Sequence, residues 1–233
     1  MIRVLIVDDE VLLRSCMQRI LESEPDIEVP AACDGRGAVE AVETHRPDVV
    51  LLDLRMPDVD GLSVLAALRS RSPRPAVAVL TTFSADEDIA AALGAGASGF
   101  LLKDATPHEL ADAVRVLASG GTVLSSAAAR VVVGGYLERG PRPAAPRDPR
   151  LDTLTEREHQ VLELLAEGLT NADIGRRLLM SPSTTKEHVS AILAKLGLAN
   201  RVQAAVLAHS LSAAAAAPSS PSSSHPPAMA ASH

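Results

Sequence analysis

Short apolar runs near 2–7, 27–33, 49–53, 76–81 and 98–102 alternate with segments of helical period near 10–23, 35–45, 61–70, 85–94 and 106–118. The runs predict strands and the periodic segments helices. Strands that recur with a helix between them form a parallel sheet covered on both faces, which accounts for runs that are apolar throughout and not alternating. Pro30 falls inside the second run. A proline cannot donate to a strand ladder, so that strand belongs at an edge, and the order 2-1-3-4-5 puts it there. Residues 125–137 predict one more helix, weakened by Gly134 and Gly135.

Beyond this point the period changes. Residues 139–150 hold four prolines and no branched apolar side chain, so they neither continue a helix nor fill a core. Everything after them reads as helix. Thr155 and Glu158 form a capping-box pair before a segment ending at Gly168, and Thr170 with Asp173 is a weaker pair of the same kind. Ser181-Pro182 opens a third helix that Gly197 closes, and Asn200 caps a fourth running to about His209. Only Leu179-Met180-Ser181 separates the second helix from the third, which is helix-turn-helix spacing. The expected organisation is an α/β domain over 1–120, a helix and linker over 121–150, a four-helix domain over 151–211 and a disordered Ala/Ser/Pro tail over 212–233.

Composition narrows the function. In 233 residues, 47% apolar, no run approaches the ~20 residues of a membrane span, and the N-terminus enters a strand pattern at once without a secretory leader. A cytoplasmic protein with no membrane partner is expected. Cys16 and Cys33 both lie in apolar patterns and read as buried, reduced core residues. Residues 1–130 carry 12 Lys and Arg against 20 Asp and Glu, whereas 176–201 carry five basic side chains against Glu187 alone. The acidity sits in the first domain and a basic patch in the second. With Phe83, Phe100 and Tyr136 the only aromatics, stacking on single strands is excluded and a nucleic acid partner should be duplex.

In an open parallel sheet, ligands bind beyond the carboxyl ends of the strands where the strand order reverses, here between the first and third. The first strand ends in Val7-Asp8-Asp9 and the third in Leu52-Asp53, so Asp8, Asp9 and Asp53 converge. Like charges ~4 Å apart repel by roughly 1–4 kcal/mol, so the cluster calls for a cation, and an oxygen-only donor set suits Mg²⁺. The fourth strand brings the Thr81 hydroxyl and the fifth the Lys103 ammonium to the same rim. Such a set can stabilise a phosphoryl group on a carboxylate, and Asp53, standing centrally, is the natural nucleophile. The segment 56–61 reads as a tight loop into the third helix. In the second domain, Val189, Ile192, Leu193 and Leu196 share the inner face of the third helix. Ser183, Thr184, Lys186, Glu187 and Ser190 are left for the major groove, with Lys195 toward phosphate.

The segments Val7-Asp8-Asp9-Glu10, Leu52 to Gly61, Leu80-Thr81-Thr82-Phe83 and Gly94 to Asp104 resemble the receiver domain of bacterial two-component response regulators. The resemblance implies that Asp53 accepts phosphoryl from a histidine kinase. It further implies Asp9, Asp53 and the Arg55 carbonyl as Mg²⁺ ligands, with Asp8 acting through water. Thr81 and Phe100 are then switch residues that move together, and Lys103 contacts the phosphoryl group. Leu154 to Glu158, Gly168 to Gly175 and Ser181 to Val189 resemble the LuxR-type helix-turn-helix domain, and the whole chain resembles the NarL/FixJ class. That class implies a homodimer formed through the last helix on paired half-sites. Two positions depart from its pattern: Thr185 stands where an apolar residue is common, and Glu187 sets a negative charge beside the groove, able to accept from cytosine or to weaken non-specific binding.

The reading is a phosphorylation-switched, DNA-binding transcriptional regulator and not an enzyme. Two alternatives use the same residues: a phosphorylation-independent regulator with a receiver-like interaction domain, and a Mg²⁺-dependent phosphohydrolase with an aspartyl intermediate.

Overall fold

A computed structural model describes residues 1–69, 71, 74–82, 85–138 and 148–216. Strands β1 (Ile2–Val7), β2 (Ile27–Cys33), β3 (Val49–Asp53), β4 (Ala76–Thr81) and β5 (Gly99–Leu102) form the expected parallel sheet. A sixth strand, β6 (Val123–Leu124), extends its order to 2-1-3-4-5-6. Two residues are too few to register as a periodic run, which is why the sequence predicts five strands. β2 is at the edge, and its register against β1 slips between Arg3 and Leu5, opposite the segment holding Pro30. The proline is tolerated where the ladder is broken.

Helices α1 (Val11–Glu22) and α5 (Pro107–Ala118) cover one sheet face, where Leu21, Val114 and Leu117 pack on Val4, Ile6 and Leu51. Helices α2 (Ala38–His45), α3 (Gly61–Arg69), α4 (Asp86–Ala95) and α6 (Ser126–Glu138) cover the other, with Val42, Leu65, Ile89 and Ala128 against Leu5, Leu52 and Val79. The second domain is built of α7 (Glu156–Ala166), α8 (Asn171–Leu178), α9 (Pro182–Leu196) and α10 (Arg201–Ala216) around Val161, Leu165, Ile174 and Ile192.

Three expectations need correction. Cys16 is exposed on the outer side of α1 and Cys33 is only half-buried, although burial does push the Cys33 thiol up to about 11. The linker reading extends too far. Residues Pro149–Thr153 form a 3-10 turn capped by Asp148, which buries Leu151. Finally, the last helix continues to Ala216, so residues 212–216 are helical; alanine is the best helix former and sustains the helix without an apolar face. The linker segment 139–147 and the tail 217–233 lie outside the described residues.

Candidate functional site

Strand register assembles the acidic site. Val7 is level with Leu52, Asp53 with Leu80, and Thr81 with Leu102, so the residues at or just beyond these strand ends share one rim. One carboxylate oxygen from each of Asp8, Asp9 and Asp53 lies within 4.8 Å of the others. Asp8 is fully buried, Asp53 and Thr81 nearly so, and Asp9 faces solvent. The loop leaving Asp53 folds back so tightly that a Cβ on Gly61 would stand 2.4 Å from the Asp53 carbonyl oxygen, which only glycine avoids. The tight loop at 56–61 therefore serves to shape the site.

Lys103 is more constrained than a rim ammonium. Its side chain is 7% exposed, and Nζ lies 2.8 Å from Asp8 Oδ2, 2.9 Å from Asp53 Oδ2 and 3.5 Å from Glu10 Oε1. Burial opposes its charge, but the two carboxylates overcome that and hold its pKa above the ordinary lysine value. The other oxygen of Asp53, Oδ1, accepts from the Arg55 N–H at 3.1 Å. Asp8 Oδ1 accepts from the Glu10 N–H at 2.9 Å, whereas the buried Oδ2 has no aligned hydrogen bond despite the nearby ammonium. Burial consequently raises the Asp8 pKa, and the Lys103 ammonium and the Glu10 N–H offset this only in part. A buried carboxylate oxygen without a hydrogen bond, among three converging carboxylates, fits a small hard divalent cation. Asp8, Asp9 and Asp53 are the residues able to hold it.

Phe100 is fully buried in the core beside Val79, two residues before the Thr81 level. Two participants escaped the sequence reading. Arg14, one turn into α1, donates its guanidinium to the Asp8 carbonyl. Arg55, besides its backbone contact, places its guanidinium 2.6 Å from Asp88 in the first turn of α4. The first is signalled only by its place one helical turn after Glu10; the second pairing spans distant segments and has no local signal.

In the second domain, α8 and α9 meet at a close turn. A Cβ on Gly175 would lie 2.6 Å from the Met180 carbonyl oxygen, and Thr185 is fully buried, donating to the Ser181 carbonyl at 3.1 Å. This gives the hydroxyl at the departing position a partner. Ser183, Lys186, Glu187 and Ser190 are exposed on one side of α9, and Thr184 is half-buried beside Ser181. Lys195 is drawn back to Glu158, 2.6 Å away, tying α9 to α7. The basic patch is likewise largely engaged internally. Arg176 contacts Asp173, Arg177 lies 3.0 Å from Glu167, and Arg201 is half-buried, its desolvation lowering its pKa to about 10. Lys186 is left as the exposed cation of the reading face.

Residues 4–115 match the response regulator receiver domain and residues 152–208 the luxR family of bacterial regulatory proteins. The chain belongs to the response regulators in which a receiver precedes a LuxR-type helix-turn-helix domain. It is 39% identical over 207 residues to the nitrate/nitrite response regulator protein NarL of Escherichia coli K12, covering 88% of this chain and 94% of that one. Against the DNA-binding transcriptional activator DevR/DosR of Mycobacterium tuberculosis the identity is 37% over 212 residues, covering 91% and 95%. A LuxR-family two-component response regulator from Aurantimonas sp. SI85-9A1 superposes with a TM-score of 0.53 at 26% identity, covering 57% of this chain and 96% of that one. The protein is a phosphorylation-regulated, DNA-binding transcription regulator of a two-component system. Among the described residues, no single helix is long and apolar enough to cross a membrane.

Proposed function

We propose that Asp53 is the phosphoryl acceptor and that the phosphohistidine of a histidine kinase is its donor. The observation that carries this reading is the Asp53 carboxylate, fixed between the Arg55 N–H and the Lys103 ammonium beside two further carboxylates. An Asp53 oxygen attacks phosphorus as the bond from phosphorus to the imidazole nitrogen breaks. The electron pair leaves with the imidazole, which takes up a proton. Asp8, Asp9, Asp53 and the Arg55 carbonyl would hold Mg²⁺, which would supply charge neutralisation for the transferring oxygens. Lys103 contacts one phosphoryl oxygen and Thr81 donates its hydroxyl to another, with Phe100 following Thr81. Ser183, Thr184, Lys186, Glu187 and Ser190 then read duplex DNA, with α10 pairing two copies on adjacent half-sites. A partner set of kinase and DNA puts this work in the cytoplasm.

Incubation with acetyl phosphate and Mg²⁺ should add one phosphoryl group to the native chain by intact mass. Asp53→Asn should take up none. Undiminished labelling of that variant would refute the assignment.

A further inference from the structure

The reading helix carries a charge that a polyanion repels. Ser183, Lys186, Glu187 and Ser190 are exposed along one side of α9, and Glu187, sixth of its 15 residues, is the one acid in the helix. Two ordinary uses of a surface glutamate do not apply to it. An acid stabilises the first turn of a helix through the dipole, an effect that fades beyond that turn, and Glu187 stands in the second. An acid also pairs with a cation three or four positions away, but those neighbours are Ser183, Thr184, Ser190 and Ala191. Lys186 is adjacent, and consecutive helix residues do not face each other. The nearby cations are engaged elsewhere, Arg176 with Asp173, Arg177 with Glu167 and Lys195 with Glu158.

The hydroxyls around Glu187 are partly committed. Ser181 and Thr184 pair at 2.9 Å, and Ser190 Oγ donates to the Lys186 carbonyl at 2.9 Å. The face therefore offers donors at Ser183 and Lys186 and one strong acceptor at Glu187. An ionised carboxylate only accepts. In the major groove cytosine N4 and adenine N6 are the donors, whereas guanine and thymine present acceptors and a methyl group. Adenine sets its N7 acceptor beside N6, against the second carboxylate oxygen, while cytosine sets a C–H there. Over any other base the carboxylate loses water without gaining a partner, and the phosphates repel it.

The receiver leaves this face open, because the two domains meet at helix ends. Asn200 Nδ2 donates to the carbonyls of Leu93 and Ala97, both at 2.8 Å, and the Asn171 N–H donates to the Ser119 carbonyl at 3.1 Å. Gly96 and Gly120, both at positive φ, lie at this junction. A Cβ on Gly96 would stand 3.1 Å from the Ala199 carbonyl oxygen, and one on Gly120 would run into the Asn171 side-chain amide.

We infer that Glu187 makes this chain select cytosine at one position of each half-site, as much by rejecting the other bases as by holding cytosine N4. The inference rests on the reading of α9 as the major-groove helix.

The test uses the full chain and its Glu187→Gln, Glu187→Ala and Lys186→Ala variants, each selecting duplexes from a random pool at one fixed salt concentration. Both positions are exposed, so the four chains should melt together. The native pool should fix cytosine at a position that Glu187→Gln changes to adenine, because a glutamine amide pairs with adenine N6 and N7 together. Glu187→Ala should accept all four bases there and leave the other positions as they were. Affinities are then read on a duplex carrying two inverted copies of the native site. Replacing that cytosine in one copy should weaken native binding by about five- to 150-fold and binding of Glu187→Ala by less than about twofold. On an unrelated duplex Glu187→Gln should bind more tightly than the native chain, since a charge facing the phosphates is gone. Selection of the native sequence by both Glu187 variants, or a native base other than cytosine at the position that changes, overturns the inference. Lys186→Ala separates this from the reading beneath it. Weaker binding with a shallower salt dependence in Lys186→Ala, beside unaltered Glu187 variants, keeps α9 in the groove and removes only the role of Glu187. Native affinity and native selection in all three variants remove α9 from the groove.

Discussion

Leu179 ends α8 with φ of 56° and a side chain 94% exposed, the least economical residue in the second domain. A branched aliphatic residue in the left-handed region costs about 1–2 kcal/mol, and here no burial offsets it. Leu179→Asn should therefore stabilise the effector domain by about 1 kcal/mol, seen as a higher urea midpoint at unchanged slope. Asp8 poses the opposite problem, because its role requires a charge that its surroundings resist. With its folded pKa raised above the ordinary 3.8, Asp8 contributes least to stability once pH has risen through the folded value. Asp8→Asn should raise the receiver's melting temperature at neutral pH, and the difference should close below pH 3.8. Added Mg²⁺ should raise the melting temperature of the native chain more than that of Asp8→Asn.

At the scale of elements, what could be read from the sequence was whatever depended on neighbours in the chain. The capping boxes at Thr155 and Thr170 are present as the spacing of Thr to Glu158 and Thr to Asp173 indicated. Pro30 placed β2 at the edge because a missing N–H is a local fact with a topological consequence. The convergence of Asp8, Asp9 and Asp53 followed from strand order alone. Partnerships across the fold were not legible. Lys195 was read as a phosphate contact because nothing near it in sequence reveals Glu158 as its partner, 37 positions away. Burial works to raise the Glu158 pKa, but Lys195 and the Thr155 cap lower it below the ordinary 4.5. The pair's contribution is thus present above that pH and lost as pH falls through the lowered value. Lys195→Met should cost the effector domain about 1–2 kcal/mol at neutral pH, since the surviving carboxylate is buried while the ammonium is partly solvated. Unfolding measured from pH 7 downward should show the native and variant curves drawing together in acid.

For the whole molecule, the size of the domain contact sets the kind of response it supports. Its hydrogen bonds each contribute about 0.5–1.5 kcal/mol net, so docking is a matter of a few kcal/mol. An all-or-none change from 1:99 to 99:1 requires about 5.5 kcal/mol. Phosphorylation should therefore adjust paired-site affinity by about 10- to 100-fold and not by four orders of magnitude. Fluorescence anisotropy on the paired duplex, with the labelled fraction fixed by intact mass, measures this directly; a change near ten-thousandfold would mean that the carbonyl and amide contacts are a minor part of the restraint.

Gly96 and Gly120 have a consequence for the undocked chain. By letting the receiver backbone approach the Ala199 carbonyl oxygen and the Asn171 side-chain amide, they bring to the junction polar groups that water can hydrate as soon as the halves separate. Parting them hands the Asn200 amide, the Asn171 N–H and the Ser119 carbonyl to water, so reclosing exchanges those hydrogen bonds back one for one.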